Sequence, residues 1–180
     1  MRKGDWLQTY QGGQMYPLDP CASEIDILDI AHALGNLCRF NGHVKKFYSV
    51  AEHSCHVSDL LPEKSLKLAG LLHDASEAYL CDMPRPIQRS NGFAQEYLKA
   101  EESLMRCIAD KFGITWPLPS AIHHADNQLL ATEALQLMSP LHPEWRDRFD
   151  PVDGLTLPCW TPEKATNQFV RRYFELTKEI

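Results

Sequence analysis

His73 and Asp74 stand side by side in "GLLHDASEAYLCDMPRP", which runs from Gly70 to Pro86, with Glu77 a turn later and Asp82 just beyond. Imidazoles and carboxylates bind divalent metals and carry protons. Here they begin in an apolar run, Leu68, Ala69, Leu71 and Leu72, that reads as the end of a buried helix. Adjacent side chains on a helix diverge by about 100°, yet both can reach one ion at a helix edge. Glu77 lies four residues after His73 and three after Asp74, so it shares their face. Two ligands are too few to hold a metal tightly, so others must come from elsewhere in the chain.

His53, in "SVAEHS", is the first candidate, with His56 one turn later as its competitor. Asp126, in "HHADNQLLATE", is the second, and the preceding His123 and His124 are its alternatives. Leu129, Leu130, Ala134 and Leu137 follow Asp126 as a core face. A histidine, a His-Asp pair and a distant aspartate on three helices would form a four-ligand site, with water completing the shell. His32 and His43 read as ordinary surface or core histidines.

The elements that must position these groups are helical. "SEIDILDIAHALGNLCRF" has apolar residues at helical spacing. In "YSVAEHSCHVSDLLP", Ser49 and Glu52 fit a capping box, which starts a helix at Val50. "EKSLKLAGLLHDASEAYL" predicts one continuous third helix, stopped by the prolines of "CDMPRPIQ". "FAQEYLKAEESLMRCIADKFG" ends at Gly113, "PSAIHHADNQLLATEALQLM" is a fifth helix, and "TPEKATNQFVRRYFELTKE" starts with Thr161 as cap and Pro162 at its first position. Ser139 to Trp160 is loop-like, and residues 1–24 form an irregular or hairpin-like extension with Gly12-Gly13 as its turn. The expected fold is all-α, about six main helices around one core, with residues 25–180 as the domain.

The composition suits a soluble globular protein: 44% apolar, 23% charged, with a net charge of −6 over 180 residues. That charge gives no support to a broad nucleic-acid surface. No segment reaches the ~20 apolar residues of a membrane helix, and the N-terminus lacks the apolar region of a signal peptide. The six cysteines form no C-x-x-C pair, which fits reduced thiols and a cytoplasmic setting.

"EHS", "LLHDASEAYLCDMPRPI" and "ADNQLLATEA" resemble the HD-domain metal-dependent phosphohydrolases, most closely the bacterial and phage members that act on deoxynucleotides, the 5′-deoxynucleotidases and the phage dATP triphosphohydrolases. The resemblance spans Ile25 to Met138. It implies an HD-domain helical bundle and one divalent metal ion (Mn, Co, Ni, Fe, Zn or Mg) on His53, His73, Asp74 and Asp126. It also implies catalytic roles for Glu77 and Asp82, and a phosphate-binding role for Arg39. Where the deoxynucleotidases carry Trp on the sugar, this chain has Phe40; where the family often carries Lys, it has Arg85, Gln88 and Arg89. The implied substrate is a small deoxynucleotide, with release of phosphate from a monophosphate as the leading expectation and of triphosphate from a dNTP as its rival. Lys45, Lys46, Arg85 and Arg89 are the candidates for extra phosphates. Relatives of this kind form dimers or larger homo-oligomers. A non-catalytic nucleotide sensor and a purely structural helical partner are the readings from other classes.

Overall fold

The computed structural model of the chain describes residues 2–90, 92–146 and 150–178. It is all-α. Among the described residues, helices of eight residues or more are α1 (Ile27–Asn36), α2 (Val50–Leu60), α3 (Lys64–Leu71), α6 (Phe93–Phe112), α7 (Ser120–Leu137) and α9 (Pro162–Thr177). One-turn helices α4 (Glu77–Leu80), α5 (Arg85–Gln88) and α8 (Pro143–Arg146) lie between them. A two-stranded antiparallel hairpin, β1 (Leu7–Gln8) and β2 (Gln14–Met15), pairs Leu7 with Met15 and turns through Gly12 and Gly13.

Local signals set most boundaries. The Ser49 hydroxyl accepts from the Glu52 amide and starts α2, and the Thr161 hydroxyl does the same for α9 from the Lys164 amide. Gly113 takes a left-handed conformation, φ 67°, and ends α6. α1 packs on α9, and α2 packs on α3, α7 and α9. Phe169, Ile30, Leu34, Tyr48, Leu71, Leu104 and Leu129 are fully buried there. The N-terminal segment is no loose appendage. Met15 is fully buried in the same core, and the Arg2 guanidinium bonds the Asp19 and Glu24 carboxylates.

The expected third helix is broken. α3 stops at Leu71, residues 72–76 form a turn, and the chain re-enters helix at Glu77. A continuing helix would give the Gly70 carbonyl to the Asp74 amide. Instead that carbonyl accepts from Nδ1 of the His73 ring at 2.8 Å. Beyond it, the amides of Ala75 and Glu77 reach back only three residues, to Leu72 and Asp74. A side chain has taken the place of a backbone donor, and the helix ends where the chemistry begins.

Gly35 marks the closest approach of α1 and α9. A Cβ there would meet Thr166 Oγ1 at 2.1 Å and the Pro162 carbonyl at 3.0 Å. The Thr166 hydroxyl is itself held on that carbonyl, so it has little room to retreat. Gly35→Ala should lower stability by about 1–3 kcal/mol, measured as a lower urea midpoint with the slope unchanged.

Candidate metal centre

Three segments far apart in sequence meet at one point. α2 supplies His53, fully buried; the turn after α3 supplies His73 and Asp74; α7 supplies Asp126. His53 Nε2 lies 3.2 Å from His73 Nε2 and 3.3 Å from Asp126 Oδ1. Asp74 Oδ2 lies 3.1 Å from His73 Nε2 and 3.6 Å from His53 Nε2. Neighbouring ligands of one ion with ~2.1 Å bonds sit ~3.0–3.4 Å apart, between octahedral and tetrahedral geometry.

The outer hydrogen bonds fix which ring nitrogens face inward. The Gly70 carbonyl can only accept, so His73 Nδ1 carries a proton and Nε2 is the nitrogen that faces the cluster. Glu133 Oε1 lies 2.6 Å from His53 Nδ1 and fixes that ring in the same sense. Two ring nitrogens and two carboxylates then converge, and either a proton on His53 or a metal ion can sit among them. His53, His73 and Asp126 thus form a group that can hold a metal ion.

The electrostatics carry the same message. Burial and Arg39 push His53 towards its neutral form, but Glu133 and Asp126 outweigh them and raise it to about 9. Without a metal, a proton on His53 supplies the missing charge. Burial would raise the Asp74 and Asp126 carboxyls, but the two histidines hold both below the usual carboxylate range.

Glu133 is the residue that sequence reasoning missed. It is fully buried, and its second oxygen accepts from Arg39 Nε at 3.1 Å. Burial alone would raise its carboxyl, but Arg39 and His53 hold it low. Removing one partner of such a buried pair costs about 3–5 kcal/mol. The missed signal was spacing: Glu133 follows Asp126 by seven residues, two turns along one face of α7. Arg39 also reaches Asp74, Nη1 to Oδ2 at 3.4 Å. The turn that presents it holds Phe40 and Asn41 at positive φ, 54° and 52°, a conformation that costs bulky side chains energy.

The cluster opens into a cavity of about 810 Å³ whose walls include Arg39, Phe40, Glu77, Asp82, Arg85 and Glu101. Met83, Leu98, Met105, Trp116, Leu118 and Leu130 make an apolar wall. Glu77 is buried, and its Oε2 has no hydrogen-bond partner among the described residues. Burial, with Asp74 and Asp82 nearby, pushes its carboxyl well up. Burial also raises Asp82, against the pull of Arg39.

Several expected residues sit differently. Arg85 lines the cavity, but its guanidinium is held by Asp126 at 2.8 Å and Asn127 at 2.9 Å. It braces a cluster residue instead of standing free for phosphate. Arg89 is exposed and does not line the cavity, because α5 ends just before it and turns it to solvent. His56 packs on Trp160 with ring centres 5.5 Å apart, away from the cluster. His123 lines the cavity and His124 does not. The capping box is half formed: the Glu52 carboxylate accepts from the Trp160 amide at 2.6 Å.

Glu101 gives a pH test of the cavity. Burial, with Asp74 nearby, pushes its carboxyl up to about 7, against about 4.3 in an unfolded chain. Between those values the folded state holds more protons, so Glu101 lowers stability as pH rises through that window. In metal-free protein, Glu101→Gln should match wild type near pH 4. Its stability should exceed wild type increasingly up to pH 7–8, as read by thermal unfolding at each pH.

No model of a known protein family matches the chain. It is 36% identical over 132 residues to "Uncharacterized protein YfdR" of Escherichia coli (strain K12), covering 73% of this chain and 72% of that protein. It is 32% identical to "Uncharacterized protein RCAP_rcc00048" of Rhodobacter capsulatus, covering 99% of this chain and 98% of that protein. Such identity over most of both lengths places this chain in one family with YfdR and RCAP_rcc00048.

Proposed function

We propose that the protein is a metal-dependent phosphohydrolase of deoxynucleotides, most simply a 5′-nucleotidase that releases phosphate from deoxynucleoside monophosphates. The observation that carries this reading is the convergence of the His53 and His73 Nε2 atoms with Asp74 and Asp126 at the edge of a half-apolar cavity. The cluster resembles the metal site of HD-domain phosphohydrolases in residue types and in chain order.

His53, His73, Asp74 and Asp126 would hold one divalent ion. Such an ion lowers the pKa of a bound water and offsets phosphate charge. Glu77 has a raised proton affinity and a free oxygen, so its carboxylate is suited to take a proton from the attacking water. Asp82, whose carboxyl burial raises, would be the second acid, set to serve the leaving oxygen or to position the sugar. Arg39 would bind the phosphate, and Phe40 with the apolar wall would receive sugar and base.

Charge favours a monophosphate. Among the described residues the cavity lining carries two guanidinium groups, Arg39 and Arg85, and Arg85 is already taken by Asp126, beside the carboxyl groups of Glu77, Asp82, Glu101 and Glu102. A triphosphate adds charge that this lining repels. One feature favours the rival substrate. A second cleft of about 620 Å³ shares His43 and Met138 with the cavity and adds Lys45 and His142, groups suited to distal phosphates.

Asp74→Asn should lose both bound metal and phosphate release, and Glu77→Gln should keep metal and lose turnover. Metal content by mass spectrometry and chromatography of products from dAMP and dATP read these outcomes. Nucleoside plus phosphate identifies the nucleotidase, and nucleoside plus triphosphate identifies the rival. Unchanged metal and activity in Asp74→Asn would remove the site.

A further inference from the structure

We infer that Glu133 is a positioning residue that sets the metal ligand His53 and the phosphate-binding Arg39 together, an inference that rests on the proposed metal-dependent chemistry of this site. Its two oxygens serve different partners. One accepts from His53 Nδ1 at 2.6 Å and the other from Arg39 Nε at 3.1 Å, with Glu133 and His53 fully buried. The contacts close into a ring. Arg39 Nη1 reaches Asp74 Oδ2 at 3.4 Å, and that oxygen lies 3.6 Å from His53 Nε2. Arg39 is gripped at Nε and Nη1, and its Nη2 has no partner among the described residues. Arg39 also lines the cavity, so this free edge of its planar fork is the part available to an anion.

One carboxylate therefore does two jobs. It keeps the proton on His53 Nδ1, so that Nε2 stays bare towards the ion. It also aims the guanidinium across the same cluster. A ligand shift at His53 and a tilt of Arg39 are then the same motion of Glu133. The side chain touches neither the ion's place nor the cavity; it is absent from the cavity walls.

The test uses Co²⁺ and inorganic phosphate as probes on wild type, Glu133→Gln, Arg39→Gln and the double variant. Glu133→Gln keeps an acceptor for His53 but presents an amide to Arg39 Nε, donor against donor. It should weaken Co²⁺ binding by about 10–100-fold, with a shifted Co²⁺ visible spectrum. It should also weaken phosphate binding to the Co²⁺-loaded protein by about tenfold, the size of one misaimed charge-assisted pair. Arg39→Gln should weaken phosphate alone, and adding Glu133→Gln to it should cost no further phosphate affinity. Glu133→Asp, which keeps the charge but cannot span both partners, should restore one function and not both. Unchanged affinities in Glu133→Gln, or phosphate losses that multiply in the double variant, would overturn the role. So would wild type that takes up no Co²⁺. Wild type that binds both probes but hydrolyses no nucleotide would remove the hydrolase reading and leave the Glu133 role standing.

Discussion

Two imidazole nitrogens and two carboxylates are aimed at one place, and holding them there together is the constraint around which this chain is arranged. At about 3.2 Å, two inward ring nitrogens need a proton or a metal ion between them in a poorly solvated site. A loose scaffold would let them turn away. The scaffold here is not loose. His53 is fully buried in α2, and Asp126 lies on α7 beside Ala125 and Leu129, which are in the core. His73 follows Leu71 and Leu72, both fully buried. The core holds the groups together, and a proton on His53 or a metal ion in its place balances them.

Local geometry finishes what packing starts. The break after Leu71 turns His73 so that its own ring bonds the Gly70 carbonyl. That bond ends the helix and fixes the tautomer at once. Glu133 does the same for the other ring. Arg85 braces Asp126 from the far side. Each inward group is thus held by a second contact that is itself half-buried or buried, as is required for a site to keep its geometry without its ligand.

The helices were legible because their signals are local. Ser49, Thr161 and Gly113 act within one turn of their own positions, and the apolar spacing of α1, α6 and α9 is a property of each segment. The meeting of His53, His73 and Asp126 was expected from residue type with His56, His123 and His124 as alternatives, and the family resemblance chose among them. What escaped is non-local. Propensity marks the end of α3 ambiguously, since Leu72 and Ala75 favour helix while Gly70, His73, Asp74 and Ser76 do not; the contact that takes the Gly70 carbonyl comes from a side chain. Arg85 read as a free cation because nothing in sequence says that Asn127 and Asp126 will meet it. Glu133 drew no reading at all, although its distance from Asp126 held the clue. Arg89 was placed by neighbourhood in sequence, and the one-turn α5 carried it away.

The bond from the Trp160 amide to Glu52 spans 108 residues and lands one residue before His53. The Glu133 contact to His53 spans 80. The helix that carries the first histidine is therefore finished by parts of the chain made long after it. Closing such long loops is costly and slow. During synthesis, α1 to α3 can pair while the inward nitrogen of His53 still has no fixed direction. The group that can hold a metal ion is therefore complete only once α7 has docked on α2, since His53 takes its direction from Glu133 and Asp126 comes from that same helix.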